Sequence, residues 1–194
     1  MTYKRPENHK YAGDTRTELP AGGYVVKIMD MKEGNWPSGD VCYDISFDIA
    51  EGNYKDFYTN DYRAQTGDKK WWRGTFRLTP PTDNAPEWQN NRFWDFICAV
   101  EDSNSGFRFS GEEKDLTKAV FAKKVFGALF RSEETAPNAN GATFWNTKLF
   151  RCLPADKIRS GEFKIPKDKA TKGSAAPADF PVIEDDSEAD DLPF

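Results

Sequence analysis

The feature that most constrains the fold is a nine-residue stretch, residues 41–49, in which apolar and polar side chains alternate strictly. The carboxylates of this stretch, Asp44 and Asp48, fall on its polar side. A period of two over nine residues is typical of a β-strand that buries one face. The chain therefore contains a sheet with a core on one side. The face that we expect to be buried consists of Val41, Tyr43, Ile45, Phe47 and Ile49.

Other segments have a similar composition and are bounded by turn residues. The segment that follows Glu51-Gly52-Asn53 would form a hairpin with residues 41–49, because these three residues favour a tight turn. The sequence thus predicts four further strands, over residues 24–31, 54–62, 120–131 and 143–153.

One long helix is predicted between the third and fourth strands. Asp83 or Asn84 can begin it, with Pro86 in the first turn, and residues 103–106 end it. Its apolar residues recur at intervals of three and four, which marks one buried face. That face consists of Phe93, Phe96, Ile97 and Val100.

The predicted order is three strands, a helix and two strands. The OB-fold is a five-stranded, partly open barrel that binds oligonucleotides on its face and loops. We therefore predict a mainly β protein, an OB-fold-like five-stranded barrel with a helix between strands 3 and 4, plus a disordered C-terminal tail. Its parts are a polar N-terminal arm, the OB-fold domain, a linker and an acidic tail, at residues 1–18, 19–166, 167–178 and 179–194.

Charge divides the chain into two parts. The net charge is −5, which by itself argues against a polyanionic ligand. All 27 Lys and Arg residues lie at or before Lys172, however, whereas seven of the 32 acidic residues follow residue 178. The acidity therefore belongs to the tail, and residues 1–178 carry a small excess of positive charge.

Several classes of protein are excluded by what the sequence lacks. It has no run of about 18 apolar residues and no apolar stretch behind the charges of its N-terminus, so we expect neither a membrane protein nor a secreted one. Three widely spaced cysteines (Cys42, Cys98 and Cys152) and one histidine, His9, predict no disulfide, metal or cofactor. No catalytic or nucleotide-binding motif is present. We expect a non-enzymatic protein of the cytoplasm, or of the host cytoplasm if a phage encodes it.

The connection after the third predicted strand is the strongest candidate for a binding surface. Single-stranded nucleic acid is bound by positive charge that follows the phosphates and by exposed aromatic rings on which bases stack. Both occur here, and two adjacent tryptophans in an extended segment cannot both point inward, although they could together cover an edge of the barrel. Asp44 and Asp48 would repel phosphate from their own face. The candidates in this connection are Lys69, Lys70, Trp71, Trp72, Arg73 and Arg77.

Further aromatic and basic residues are candidates for the same surface. Trp36 lies in the loop after the first predicted strand, a position where OB-folds contact their ligands. On the last strand, Lys148 faces away from Trp145 and Arg151, so these three cannot share one groove. The additional candidates for binding DNA are Trp36, Tyr54, Tyr58, Tyr62, Lys123, Lys124, Trp145, Lys148 and Arg151.

The end of the sequence predicts a peptide that recruits other proteins. Acidic residues alone would only solvate the chain, but the apolar side chains after them gain nothing from solvent. An aromatic residue beside a free carboxylate suits an apolar pocket rimmed by Lys and Arg. The ending resembles that of bacterial single-stranded-DNA-binding proteins, whose tip docks replication, repair and recombination enzymes. The matching residues are Asp190, Asp191, Leu192, Pro193 and Phe194.

The body of the chain resembles the single-stranded-DNA-binding proteins of tailed phages more than the standard bacterial ones. The resemblance lies in Leu-Pro-Ala-Gly-Gly-Tyr at residues 19–24, in residues 96–107 and in Val-Phe-Gly-Ala-Leu-Phe at residues 125–130. It implies an OB-fold that binds and protects single-stranded DNA during replication, recombination or repair.

Other functions stay open on the sequence. The chain could be a protein-interaction module whose barrel binds protein, or a recombination mediator that anneals strands. A nuclease could hold metal at Asp44 and Asp48, but a solvated strand face accounts for that spacing. The sequence leaves the oligomeric state open.

Overall fold

The computed structural model describes residues 18–66, 69–138 and 141–171. The predicted tail, with Asp190, Asp191, Leu192, Pro193 and Phe194, lies outside these residues, as does nearly all of the predicted arm. The strands are β1 (Gly22–Asn35), β2 (Val41–Ile49), β3 (Thr75–Leu78), β4 (Val125–Glu134) and β5 (Trp145–Leu153). The α-helices are α1 (Phe57–Ala64), α2 (Glu87–Ser103), α3 (Lys118–Phe121) and α4 (Ala155–Ser160), with a 3-10 turn at Glu113–Asp115.

The five strands form one antiparallel sheet in the order β3-β2-β1-β4-β5. The long strand β1 pairs with β4 through its first half and with β2 through its second half. A register shift between Ile28 and Asp30 bends β1 where it passes from one partner to the other. The sheet is not closed into a barrel, because no hydrogen-bonded ladder joins β3 to β5 among the described residues. Of the predicted OB-fold-like, partly open barrel, the number of strands, five, is confirmed, and they form an open sheet.

The second predicted strand is confirmed as β2, residue for residue. All but Val41 of its predicted inward-facing residues are buried, and Val41 packs at the edge of the core. Asp48, predicted on the polar side, is also buried, at 1% exposure. Its carboxylate accepts hydrogen bonds from the backbone N–H groups of Tyr58 and Thr59 and from the Thr59 hydroxyl. The prediction that Asp48 faces solvent and repels phosphate is therefore wrong.

The third predicted strand, residues 54–62, is wrong. The segment is a turn followed by α1, and the third strand of the sheet is instead β3, inside the predicted connection. Asp48 provides the cause, because its carboxylate satisfies N–H groups of the first turn of α1 that otherwise have no partner. Gly74 then lets the chain approach β2, since a Cβ atom at that position would overlap the Phe47 carbonyl oxygen.

The predicted helix is confirmed as α2, and its predicted apolar face is buried, but the helix begins at Glu87, directly after Pro86, and not at Asp83 or Asn84. It packs on β4 and β5 and lies between strands 3 and 4 in chain order. Asn104 ends the helix, where its side chain bonds the Val100 carbonyl and both polar groups of Val125. The rings of Phe76, Phe96, Phe121 and Phe126 meet in the core beneath it.

The boundaries of β1 and β4 differ from those predicted, each because of a local turn or helix. β1 continues to Asn35, and a tight turn follows it, in which the Gly39 N–H donates to the Trp36 carbonyl over 2.8 Å. β4 begins at Val125 rather than residue 120, because residues 118–121 form the short helix α3 and Lys123 has a φ of 68°.

Beyond α4, Lys169 forms a parallel bridge with Glu133 at the end of β4. Within the described ranges, none of the helices has both the length and the apolar character needed to cross a bilayer.

Candidate nucleic-acid interface

A cluster of exposed basic and aromatic residues lies where α1 ends and the chain approaches β3. We call it the basic–aromatic patch, and it consists of Tyr62, Arg63, Lys69, Lys70 and Trp71. The indole of Trp71 is 63% exposed and the ring of Tyr62 is 39% exposed. The ammonium group of Lys70 lies 5.9 Å from the centre of the Tyr62 ring. The patch therefore combines two accessible rings with positive charge at short range.

The main chain of Trp71 is fixed although its side chain is exposed. The Gln65 side chain accepts a hydrogen bond from the Trp71 N–H over 3.0 Å and donates one to the Trp71 carbonyl over 2.9 Å. The same amide donates to Asp61 on α1 over 3.1 Å. The backbone that carries the indole is thus held in place before any ligand binds, which lowers the entropy that would be lost in ordering this segment.

Trp72 points the other way and belongs to the fold. Its indole N–H donates to the carbonyl oxygens of Phe47, over 3.2 Å, and Gly74, over 3.0 Å. Its ring packs against Tyr58 and Tyr62. Trp72 therefore anchors the segment that carries Trp71, and little of its own surface is open to a ligand.

Three more of the predicted residues are engaged by neighbouring groups. Tyr58 is only 7% exposed and lies edge-on to Phe47 in the core. Tyr54 packs edge-on against Tyr24. Arg73 forms an ion pair with Asp61 at 3.0 Å. These side chains contact other residues of the protein and offer little surface on which a base could stack.

A second cluster lies at the far end of β3, around Trp36 and Arg77. The guanidinium of Arg77 lies 4.9 Å from the centre of the Trp36 ring, and the indole N–H donates to the Thr79 hydroxyl over 3.1 Å. Arg77 also donates two hydrogen bonds to Asp44, over 2.7 and 2.9 Å. These bonds raise the pKa of Arg77 above its ordinary value. The charge of Asp44 is thus paired, so this carboxylate does not repel phosphate as an isolated one would.

The predicted residues of β5 are not joined to either cluster by any described contact. Lys148 pairs with Glu133 at 3.6 Å, and Glu133 also binds Arg131. Burial opposes ionisation of Glu133, but the hydrogen bond from Arg131 and the nearby positive charges lower its pKa overall. Arg151 pairs with Asp95 of α2 at 3.6 Å. Trp145 is exposed at the start of β5, directly after the exposed Phe144.

Lys123 and Lys124 lie just before β4, across the sheet from the patch. The backbone N–H of Lys123 donates to the carbonyl of Ile28 on β1. The Lys124 ammonium lies 4.8 Å from the centre of the Phe107 ring. Strands β1 and β2 separate these lysines from Gly74, beside the patch.

An open groove adjoins Trp36 and contains residues that were not predicted. It has a volume of about 1070 Å³ and is lined in part by Trp88, Arg92 and Trp94 of α2. The sequence did hold a signal for them. All three lie off the helical face formed by Phe93, Phe96, Ile97 and Val100, so burial in the core could not account for the two tryptophans.

The described residues contain no group of three or more His, Cys, Asp or Glu side chains that could hold a metal ion. The carboxylates described above form ion pairs with arginines, or, like Asp48, accept hydrogen bonds at the start of a helix. No protein-family model matches the chain, and no curated protein matches it.

Proposed function

We propose that this protein binds single-stranded DNA without sequence preference and protects it during replication, recombination or repair. The observation that carries the proposal is Trp71, whose backbone is fixed by Gln65 while its indole stands exposed beside Tyr62 and Lys70. Exposed rings among basic side chains are what sequence-tolerant binding of unpaired strands requires. No metal, cofactor or catalytic residue enters the proposal.

We further propose that the sheet is an OB-fold with an open barrel. Three features support this assignment: β1 pairs with both β2 and β4, five strands are present, and α2 follows β3. OB-folds bind oligonucleotides on the face of strands 2 and 3 and with the loops after strands 1 and 4. Here β3 connects the basic–aromatic patch to Arg77, and the loop after β1 carries Trp36. The DNA would then run along β3 from Trp71 towards Trp36.

The first expected result concerns the form of the DNA. The protein should bind oligo-dT at least about tenfold more tightly than duplex DNA of equal length at about 0.15 M salt, because stacking needs unpaired bases. Affinity should fall with added salt, with a shallow slope because few lysines and arginines contact phosphates. Fluorescence anisotropy with labelled oligonucleotides measures both quantities. Equal affinity for the two forms would contradict the proposal, and a salt-independent affinity would remove its electrostatic part.

We also propose that the acidic tail recruits replication or recombination enzymes through its last five residues. The proposal rests on the composition of residues 179–194, which include seven carboxylates and no base, and on the Leu-Pro-Phe sequence that ends them. Acidic residues can compete with phosphates for a basic surface, while apolar residues such as Leu192 and Phe194 can fill a pocket on a partner.

The second expected result separates these two roles of the tail. Deleting residues 179–194 changes the net charge from −5 to +2 and should leave DNA affinity equal or higher, most visibly at low salt. Phe194→Ala keeps every charge, so it should abolish the capture of partner enzymes with little change in DNA affinity. Pull-down and anisotropy assays on the same preparations measure the two effects. Loss of DNA binding in the truncated protein, or normal capture by the Phe194→Ala variant, would contradict the respective role.

A further inference from the structure

The groove beside Trp36 lies at the end of β3 that is opposite to the basic–aromatic patch. We call it the tryptophan groove and define it by Trp36, Arg77, Trp88, Arg92 and Trp94, which all line it. Its volume of about 1070 Å³ is slightly above the range for small-molecule sites, about 300–1,000 Å³. A cleft of this size can admit more than one nucleotide.

The walls of the groove are held in place by contacts within the protein. The side chain of Asn90 on α2 both accepts from the Thr82 N–H, over 3.2 Å, and donates to the Thr82 carbonyl, over 3.1 Å. Pro80 and Pro81 line the same wall, and their fixed φ angles limit its motion. On the other side, the Trp36 indole bonds Thr79. The groove is therefore formed before a ligand arrives.

The chemistry of the groove favours flat, uncharged rings. Trp88 is 65% exposed, the most exposed large apolar side chain among the described residues. It lies one helical turn from Arg92, so the indole and the guanidinium project from the same side of α2. Two carboxylates, Asp40 and Glu113, also line the groove, and Arg77 is already paired with Asp44, so the groove has no excess of positive charge. Such a balance suits bases, which have π faces and no net charge, better than it suits a run of phosphates.

The position of the groove at the end of β3 indicates which ligand would reach it. Trp71 lies a few residues before β3 and Arg77 lies within it, and the four residues of β3 span about 13 Å. A DNA strand that follows β3 from the patch therefore arrives at Arg77 and Trp36, which belong to the groove as well as to the proposed interface.

We propose that the tryptophan groove is a second base-stacking subsite for the same strand of DNA, with Trp88 and Trp36 as its platforms. This inference rests on the proposed function. It assigns to α2 a part in binding that its buried face alone does not require. It also implies that the protein has a longer site than the patch could provide, because bases at both ends of β3 are held.

The test compares two lengths of oligo-dT, about 4 and about 12 nucleotides, which lie within the range of site sizes for one OB-fold. Trp88→Ala should weaken binding of the longer oligonucleotide by about tenfold and leave that of the shorter one unchanged. Trp88→Phe keeps a π face and should retain most of the affinity. Ile165→Ala removes an exposed apolar side chain outside both clusters and should match the unmodified protein with both lengths. Circular dichroism and thermal unfolding check that each variant is folded.

The outcomes separate this inference from the proposed function. If Trp71→Ala weakens both lengths and Trp88→Ala weakens neither, the patch stands and the groove subsite is overturned. If the unmodified protein binds neither length, the proposed function fails and the groove inference fails with it. A synthetic peptide of residues 179–194 provides the last arm. If Trp88→Ala abolishes binding of this peptide and leaves the affinity for the longer oligonucleotide unchanged, the groove docks protein and the base-stacking assignment is overturned.

Discussion

Trp71→Ala should weaken binding of oligo-dT by about 5- to 150-fold, the effect of removing one stacked base at about 1–3 kcal/mol. The indole is largely exposed, so its loss removes a stacking platform without leaving a cavity in the core. The melting temperature should therefore stay within about 2 °C of that of the unmodified protein, because surface substitutions rarely change stability by more than about 0.5 kcal/mol. Anisotropy titrations and thermal unfolding measure the two quantities.

Trp72→Ala is the matched control, because it removes the same side chain from the neighbouring position. Its indole N–H bonds two backbone carbonyls and its ring packs against Tyr58 and Tyr62. We expect this variant to lose about 2–3 kcal/mol of unfolding free energy, since it combines lost packing with the loss of the indole donor to the Phe47 carbonyl, whereas the Gly74 carbonyl keeps its bond from the Phe47 N–H. Any loss of DNA affinity should follow from the displaced segment. If Trp71→Ala binds DNA normally and Trp72→Ala does not, the roles assigned to the two tryptophans are reversed.

The fold was predictable where the pattern is set by local burial. The alternation in residues 41–49 and the helical spacing of Phe93, Phe96, Ile97 and Val100 each identified one element with its buried face. The prediction of a strand over residues 54–62 failed because the aromatic residues of this segment suit a strand as well as a helix. The spacing of Tyr54, Phe57, Tyr58 and Tyr62 is in fact helical, and a carboxylate from another element, Asp48, decides between the two.

The candidate site was predictable to the extent that composition marks a surface. The run of basic and aromatic residues around Trp71 identified the patch, but a sequence gives no information on which of two adjacent tryptophans will find buried hydrogen-bond acceptors. Whether a charge is already paired depends on contacts across the sheet, such as that between Asp44 and Arg77, which are 33 residues apart. The sequence prediction does not include Trp88, because the helical spacing in α2 marks only the side that faces the core.

Asp48 connects the helix and the strand that together hold the basic–aromatic patch. Its carboxylate accepts four hydrogen bonds, from the N–H groups of Ile49, Tyr58 and Thr59 and from the Thr59 hydroxyl. Three of these donors lie in the first turn of α1, while Asp48 itself is in β2. The carboxylate therefore fixes the start of the helix that carries Tyr62 and Arg63 to the strand beside which Trp72 is anchored.

Asp48→Ala should be the most destabilising of these substitutions, by about 3–4 kcal/mol, because it removes a helix cap and leaves several buried donors without an acceptor. For a chain of this size that corresponds to a fall of about 10 °C in melting temperature. The melting temperature of Asp48→Asn should lie between those of Asp48→Ala and the unmodified protein. Its amide oxygen still accepts a hydrogen bond, while its NH₂ group meets another donor. Asp44→Ala, on the same strand but in a half-exposed ion pair, should melt close to the unmodified protein. Thermal unfolding followed by circular dichroism distinguishes these cases. If Asp48→Ala has the same melting temperature as Asp44→Ala, the Asp48 carboxylate does not hold α1 in place. The rigidity of the patch must then come from Gln65 and Trp72 alone.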